Sequence, residues 1–122
     1  MIKLTLPLPP SSNRYWRSIV NNGRLRVLKS KEAREFRERC GWIAKAQVKR
    51  KLSGPVALSL MVYFPDRRGD LDNRTKQLFD ALQGTVYEND SQVVHYEVTR
   101  KIDKENPRVE VEVFPWEGPR AA

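Results

Sequence analysis

Val56-Ala57-Leu58-Ser59-Leu60-Met61-Val62-Tyr63 runs into Pro65 and the polar stretch Asp66-Arg67-Arg68-Gly69, then into Asp70-Leu71-Asp72-Asn73. In the first eight residues both alternating sets are largely apolar, the pattern of a central strand covered on both faces. Pro65 ends it, because proline cannot donate to a strand ladder. From Leu71 the period changes. Leu71, Thr75, Leu78, Phe79 and Leu82 fall on one helical face, which predicts a helix over about 71–83 closed by Gly84. A strand therefore passes into a helix through a polar loop, and two aspartates stand at the junction.

Downstream, residues 92–101 read as a strand. Asn106-Pro107 turns the chain, and Val109, Val111 and Val113 alternate with Glu110 and Glu112 in a half-buried strand over 108–114. Upstream, Ile2, Leu4, Leu6 and Leu8 give a first strand over 2–8, and Pro7, Pro9 and Pro10 stop it. Ser11 to Trp16 form a loop rich in hydrogen-bonding, basic and aromatic groups. Asn21-Asn22-Gly23 marks the turn of a short hairpin over 18–28. Ser30 is a suitable N-cap for a helix over 31–50 that turns Ala33, Phe36, Cys40, Ile43, Ala44 and Gln47 inward. Its outer side offers the i,i+4 pairs Lys31–Glu35, Arg34–Glu38 and Glu35–Arg39. The expected class is α+β: a single two-layer domain over 1–122, a small mixed sheet with helices packed on one face, and a frayed tail over 115–122.

Composition bounds the function. With 39% hydrophobic and 31% charged residues, the chain carries enough apolar material for one core and is not disordered. No apolar stretch nears the ~20 residues that span a bilayer. The prolines at 7, 9 and 10 interrupt any secretory signal, so a cytoplasmic protein without membrane association is expected. Cys40 is the only cysteine, which excludes an internal disulfide and a cysteine-based zinc site and suggests a small buried hydrophobe. Net charge is +8, which suits a polyanionic partner, although ribosomal proteins and membrane-surface binders share it. The surplus is uneven. Residues 1–54 hold 14 Lys and Arg against 3 Glu, and residues 55–122 hold 9 against 12 Asp and Glu. A module that only bound phosphates would not need the acidic half.

Asp70 and Asp72 can point into one pocket, as hydrolysis of a phosphodiester by hard-oxygen-bound Mg²⁺ requires. Taken alone, the pair reads better as acids stabilising a helix N-terminus, worth up to about 1 kcal/mol. Asp72, Lys76 and Asp80 follow at i, i+4 and i+8 and share a stripe. Lys76 could then reach a phosphate, with Asp80 supporting it from below. Asp90 precedes the next strand, and adjacent strands could bring it beside Asp70.

Three separated motifs carry a resemblance: Pro9-Pro10-Ser11-Ser12-Asn13; Asp70-Leu71-Asp72-Asn73-x-x-Lys76-x-x-x-Asp80-Ala81-Leu82; and Asn89-Asp90-Ser91-Gln92-Val93. In this order and spacing the chain resembles the RusA-type Holliday junction resolvases. The resemblance implies a homodimeric, Mg²⁺-dependent endonuclease (Mn²⁺ substituting) of phage, prophage or bacterial origin. Such an enzyme would cut four-way DNA junctions symmetrically in recombination and repair, without a small-molecule cofactor. It places the family's essential aspartates on Asp70, Asp72 and Asp90, its essential lysine on Lys76, and its DNA-flanking segment on Pro9 to Asn13. Two departures stand out. Gly69 interrupts the basic run after Arg67 and Arg68, and Asn89 replaces the first acid of an Asp-Asp pair.

Other residues bear on DNA contact. Ser11, Ser12, Asn13, Arg14, Tyr15 and Trp16 suit phosphate contact and stacking at a junction centre, and Trp16 suits core or dimer packing equally. Arg67 and Arg68, beside the acids, suit phosphates. Arg34, Arg37, Lys45, Lys49 and Arg50 read first as a solvated helix face, and some of them could still form the sides of a basic channel. Trp42 reads as core or interface packing, and His95 as a sheet-surface residue sharing a face with Val93 and Glu97. Two rivals remain: a noncatalytic nucleic-acid-binding protein, and a Mg²⁺ nuclease for another branched DNA or RNA.

Overall fold

The computed structural model describes residues 1–11 and 16–118. In chain order the elements are β1 (Ile2–Leu6), β2 (Trp16–Asn21), β3 (Arg24–Lys29), α1 (Lys31–Gln47), β4 (Val56–Phe64), α2 (Leu71–Leu82), a 3₁₀ turn (Asp90–Gln92), β5 (Val93–Ile102) and β6 (Arg108–Pro115). Four strands form a mixed sheet in the order β1-β6-β4-β5. β6 is antiparallel to both β1 and β4, and β4 is parallel to β5, from Val56↔Val93 to Phe64↔Ile102. β2 and β3 make a separate hairpin. Asn22 (φ 53°) and Gly23 (φ 73°) both adopt the left-handed conformation that a tight two-residue turn needs.

β4 is central, as its doubly apolar pattern predicts. Val56, Leu58, Leu60, Val62 and Phe64 face the helices and are buried with Val109, Val111 and Val113 of β6 and Leu4 and Leu6 of β1. Phe36, Cys40 and Ala44 of α1 and Leu78, Ala81 and Leu82 of α2 close this core from one side. Each such Val, Leu or Phe stabilises the fold by roughly 1.5–3 kcal/mol relative to exposure. Lys3, Glu110 and Glu112 occupy the opposite, wetter face. The fold is thus the expected two-layer α+β domain with helices on one face of a mixed sheet.

Several boundaries and contacts differ from expectation. α1 starts where Ser30 Oγ accepts the Ala33 N–H (3.2 Å) but ends at Gln47, because Val48 is already extended. Of its three expected surface pairs, only Lys31–Glu35 (3.8 Å) closes among the described residues. Trp42 is not part of the core: it is 68% exposed in the single chain. The first part of the supposedly frayed tail is docked. Trp116 stacks on His95 (ring centres 4.8 Å apart), and its N–H reaches Pro55 O (2.9 Å).

Candidate active site

Asp70 is the N-cap of α2. Its Oδ1 accepts the Asp72 N–H (3.0 Å) and its Oδ2 accepts the Asn73 side-chain N–H (2.8 Å). Asp70 and Asp72 are both exposed, so their remaining lone pairs face solvent at the helix N-terminus. Asn73, which holds the Asp70 carboxylate, was given no role in the sequence reading. Its position, three residues after an N-cap aspartate, was the available signal. Lys76 lies one turn beyond Asp72, is exposed, and has no hydrogen-bond or ion-pair partner among the described residues. Asp80 does not hold it. The Asp80 carboxylate instead pairs with Lys29 of β3 (2.6 Å) and with Arg37 of α1 (3.8 Å), and so ties both to α2.

The loop before Asp70 is fixed by two arginines that no sequence motif singles out. Arg100 of β5 donates to Arg67 O (2.8 Å) and to Gly69 O, with its guanidinium 4.3 Å from the centre of the Phe64 ring. Arg74 is buried, lies 5.4 Å from the same ring, and donates to Pro9 O. Burial lowers the Arg74 pKa, and the like charge of Arg100 adds to this, while Asp70 pulls it back up. Arg74 therefore joins the Pro9-Pro10-Ser11 segment to the loop that carries the aspartates. Gly69 has a structural reason. Its φ is +110°, and a Cβ there would stand 2.7 Å from Phe64 Cε1.

Between these segments opens a cleft of about 770 Å³, bordered by Pro9, Pro10, Ser11, Asp66, Arg68 and Arg74. Ser11 and Arg68 thus meet at one opening. Arg67 and Arg68 are exposed, and Arg68 forms an ion pair with Asp66 (2.8 Å). Ser12, Asn13, Arg14 and Tyr15 lie outside the described residues, as does the side chain of Trp16.

Asp90 is elsewhere. Because β4 and β5 are parallel, the loop after β4 and the turn before β5 lie at opposite ends of the strands. α2 runs between them, and its 12 residues span about 18 Å at 1.5 Å per residue. Asp90 opens the 3₁₀ turn, and its N–H donates to Gln83 Oε1 just past the C-terminal end of α2 (3.0 Å). Asn89 and Gln92 brace that turn as a capping box, and Gln92 Nε2 donates to Leu52 O and Gly54 O. Within one chain, then, adjacent strands do not bring Asp90 beside Asp70. Among the described residues no three His, Cys, Asp or Glu side chains gather as a metal site. The strand–helix–strand order was the signal for this, since a parallel crossover returns the chain to the other end of the strands before the second strand begins.

Exposed acids at a strand-to-helix junction, beside exposed arginines and in a basic chain, define a site suited to phosphodiester chemistry on a nucleic acid. A sequence profile described as endodeoxyribonuclease RusA matches residues 7–114, most of the chain. The crossover junction endodeoxyribonuclease RusA of Escherichia coli strain K12 is 39% identical over 113 residues, covering 90% of this chain and 91% of the relative. That of Enterobacteria phage 82 is 37% identical over the same span, and that of Escherichia coli O139:H28 is 41% identical over 100 residues. The chain belongs to the RusA family of endodeoxyribonucleases. No helix among the described residues is long and apolar enough to cross a membrane.

Proposed function

We propose that the protein is a divalent-metal-dependent endonuclease that resolves four-way DNA junctions as a homodimer. The observation carrying this is the exposed Asp70–Asp72 pair at the N-terminus of α2, in a chain matching the RusA profile over residues 7–114.

The donor set fits a hard cation such as Mg²⁺, or Mn²⁺ in its place, only in part within one protomer, where Asp70 and Asp72 supply two carboxylates and Asp90 is remote. A second copy repairs the deficit. β5 is an edge strand that exposes Val94, Tyr96 and Ile102. Two β5 strands paired antiparallel about a two-fold axis lay the start of one against the end of the other. The end of β5 is where Arg100 grips Arg67 and Gly69, three and one residues before Asp70. Asp90 of one protomer then approaches Asp70 and Asp72 of its partner, and symmetry makes two such sites, as paired cuts across a junction need.

A bound cation would supply charge neutralisation on the phosphate and lower the pKa of an attacking water. The chain's own residues do the rest. Asn73 holds the Asp70 carboxylate in one orientation, Lys76 faces the phosphate as a cation with no ion pair among the described residues, and Arg67 and Arg68 flank the strand. Junction cleavage is expected to need a divalent cation and to fail for Asp70→Asn and for Asp90→Asn, each of which should still bind junctions. Mixing the two inactive variants is the decisive experiment. In a mixed dimer one shared site keeps all its aspartates, so nicking of a single strand returns. If it does not return, the carboxylates act within one chain and the shared site is wrong. Full cleavage by Asp70→Asn would reject the metal-site assignment itself.

A further inference from the structure

A second basic groove lies away from the Asp70 loop, between α1, β3 and the C-terminal end of α2. It encloses about 490 Å³ and is lined by Lys29, Arg34, Arg37, Trp42 and Lys45, with Gly41 among them. Asp80 anchors Lys29 (2.6 Å) and Arg37 (3.8 Å), so these two cations are held in place. Arg34 and Lys45 have no ion-pair partner among the described residues, and Lys45 Nζ lies 6.0 Å from the centre of the exposed Trp42 ring. Counting Glu38 and Asp80 against the four cations, the groove remains positive by two.

Gly41 is the informative residue. It stands inside a 17-residue helix, where glycine is the poorest occupant after proline. Its φ is not positive, and an added Cβ would meet no atom within 4 Å. Neither backbone conformation nor packing within the chain calls for glycine here. A missing side chain on the lining of a cationic groove, next to an uncovered tryptophan, leaves room for a close-lying external chain. Gln83, which also lines the groove, accepts the Asp90 N–H. The groove thus leads to the turn that carries Asp90.

The geometry points to this groove as a DNA-strand site: the sugar–phosphate backbone of a junction arm lies over Gly41, with its phosphates on Arg34, Arg37 and Lys45 and a sugar or base face against Trp42. This rests on the DNA-cleaving function proposed above and extends it. The site takes one arm at a distance from the Asp70 loop and leads it toward Asp90.

The test compares wild type with Gly41→Gln, Trp42→Phe and the double variant Arg34→Ala/Lys45→Ala, using a synthetic four-way junction as the probe. Melting temperature, sedimentation, and affinity across a salt series are measured. Gly41→Gln should melt a few degrees higher, because it improves the helix. It should nevertheless bind the junction roughly tenfold more weakly. The double variant should flatten the dependence of log affinity on log salt by about two, one unit for each lost phosphate contact. Junction should change tryptophan fluorescence in wild type and less in Trp42→Phe. Wild-type affinity and salt slope in Gly41→Gln and the double variant would overturn the proposal. So would loss of the dimer in those variants, which would make the groove a self-association face. If wild type binds no junction at all, the function proposed above fails instead.

Discussion

The guanidinium of Arg100 stacks 4.3 Å from the centre of the Phe64 ring while its N–H groups hold the carbonyls of Arg67 and Gly69. One side chain of β5 thus sets the backbone that delivers Asp70. Arg100→Lys keeps the charge but loses the planar fork that reaches two carbonyls at once. Cleavage should fall roughly tenfold or more, equivalent to about 1.4 kcal/mol. Junction affinity should change little, and the divalent-ion titration should shift to higher concentration. A variant that lost binding and cleavage together, with no shift in the ion titration, would show that Arg100 serves the fold alone.

Gly69→Ala places a methyl group against Phe64 at a backbone angle that L-residues avoid. Strain of this kind costs on the order of 1–3 kcal/mol. The substitution should lower the denaturant midpoint and reduce cleavage, because the loop must move and Asp70 with it. Phe64→Leu in the same background frees the space but not the φ angle, so it should rescue only partly.

Tyr87 is fully buried, and its hydroxyl donates to Phe79 O near the end of α2 (2.7 Å). Burial, with the charges of Asp90 and Asp80, pushes its pKa up, so it stays neutral. Tyr87→Phe leaves that carbonyl unsatisfied and should cost about 1–2 kcal/mol in equilibrium unfolding.

Cys40 is buried on the inner face of α1, and burial raises its thiol pKa to about 12. The folded chain therefore keeps this proton more tightly than the unfolded chain, whose thiol ionises near ~8.5. The stability linked to it is complete below that pH and is lost as pH rises toward 12. At pH 8 a thiol reagent should label Cys40 only as fast as the chain unfolds. Rapid labelling of the native protein would contradict its burial.

Much of this architecture was legible in the residues. The apolar alternation of Val56 to Tyr63 and of Val109 to Val113, the cap at Ser30 and the Asn22-Gly23 turn each state a local preference that the fold respects. The place of Asp70 at the start of α2 was legible because aspartate is a favoured N-cap. What failed was long-range. A buried Arg74 cannot be told from an exposed one by helical period alone, because its burial depends on Pro9 and Phe64 arriving from other elements. Trp42 suited core or interface packing, and its helical position turns it away from the core face set by Phe36, Cys40 and Ala44. Asp80 sits one turn from Lys76, but stronger partners reach it from β3 and α1. The relation of Asp90 to Asp70 depended on strand direction, which no single motif carries.

The length of α2 between Asp70 and Asp90 has a consequence for dosage. If two chains complete each cleavage site, a lone chain is harmless to the DNA that surrounds it. Where the monomer predominates, activity per volume then grows with the square of protein concentration, so scarce expression leaves the genome uncut. Dilution becomes a safety catch that needs no inhibitor.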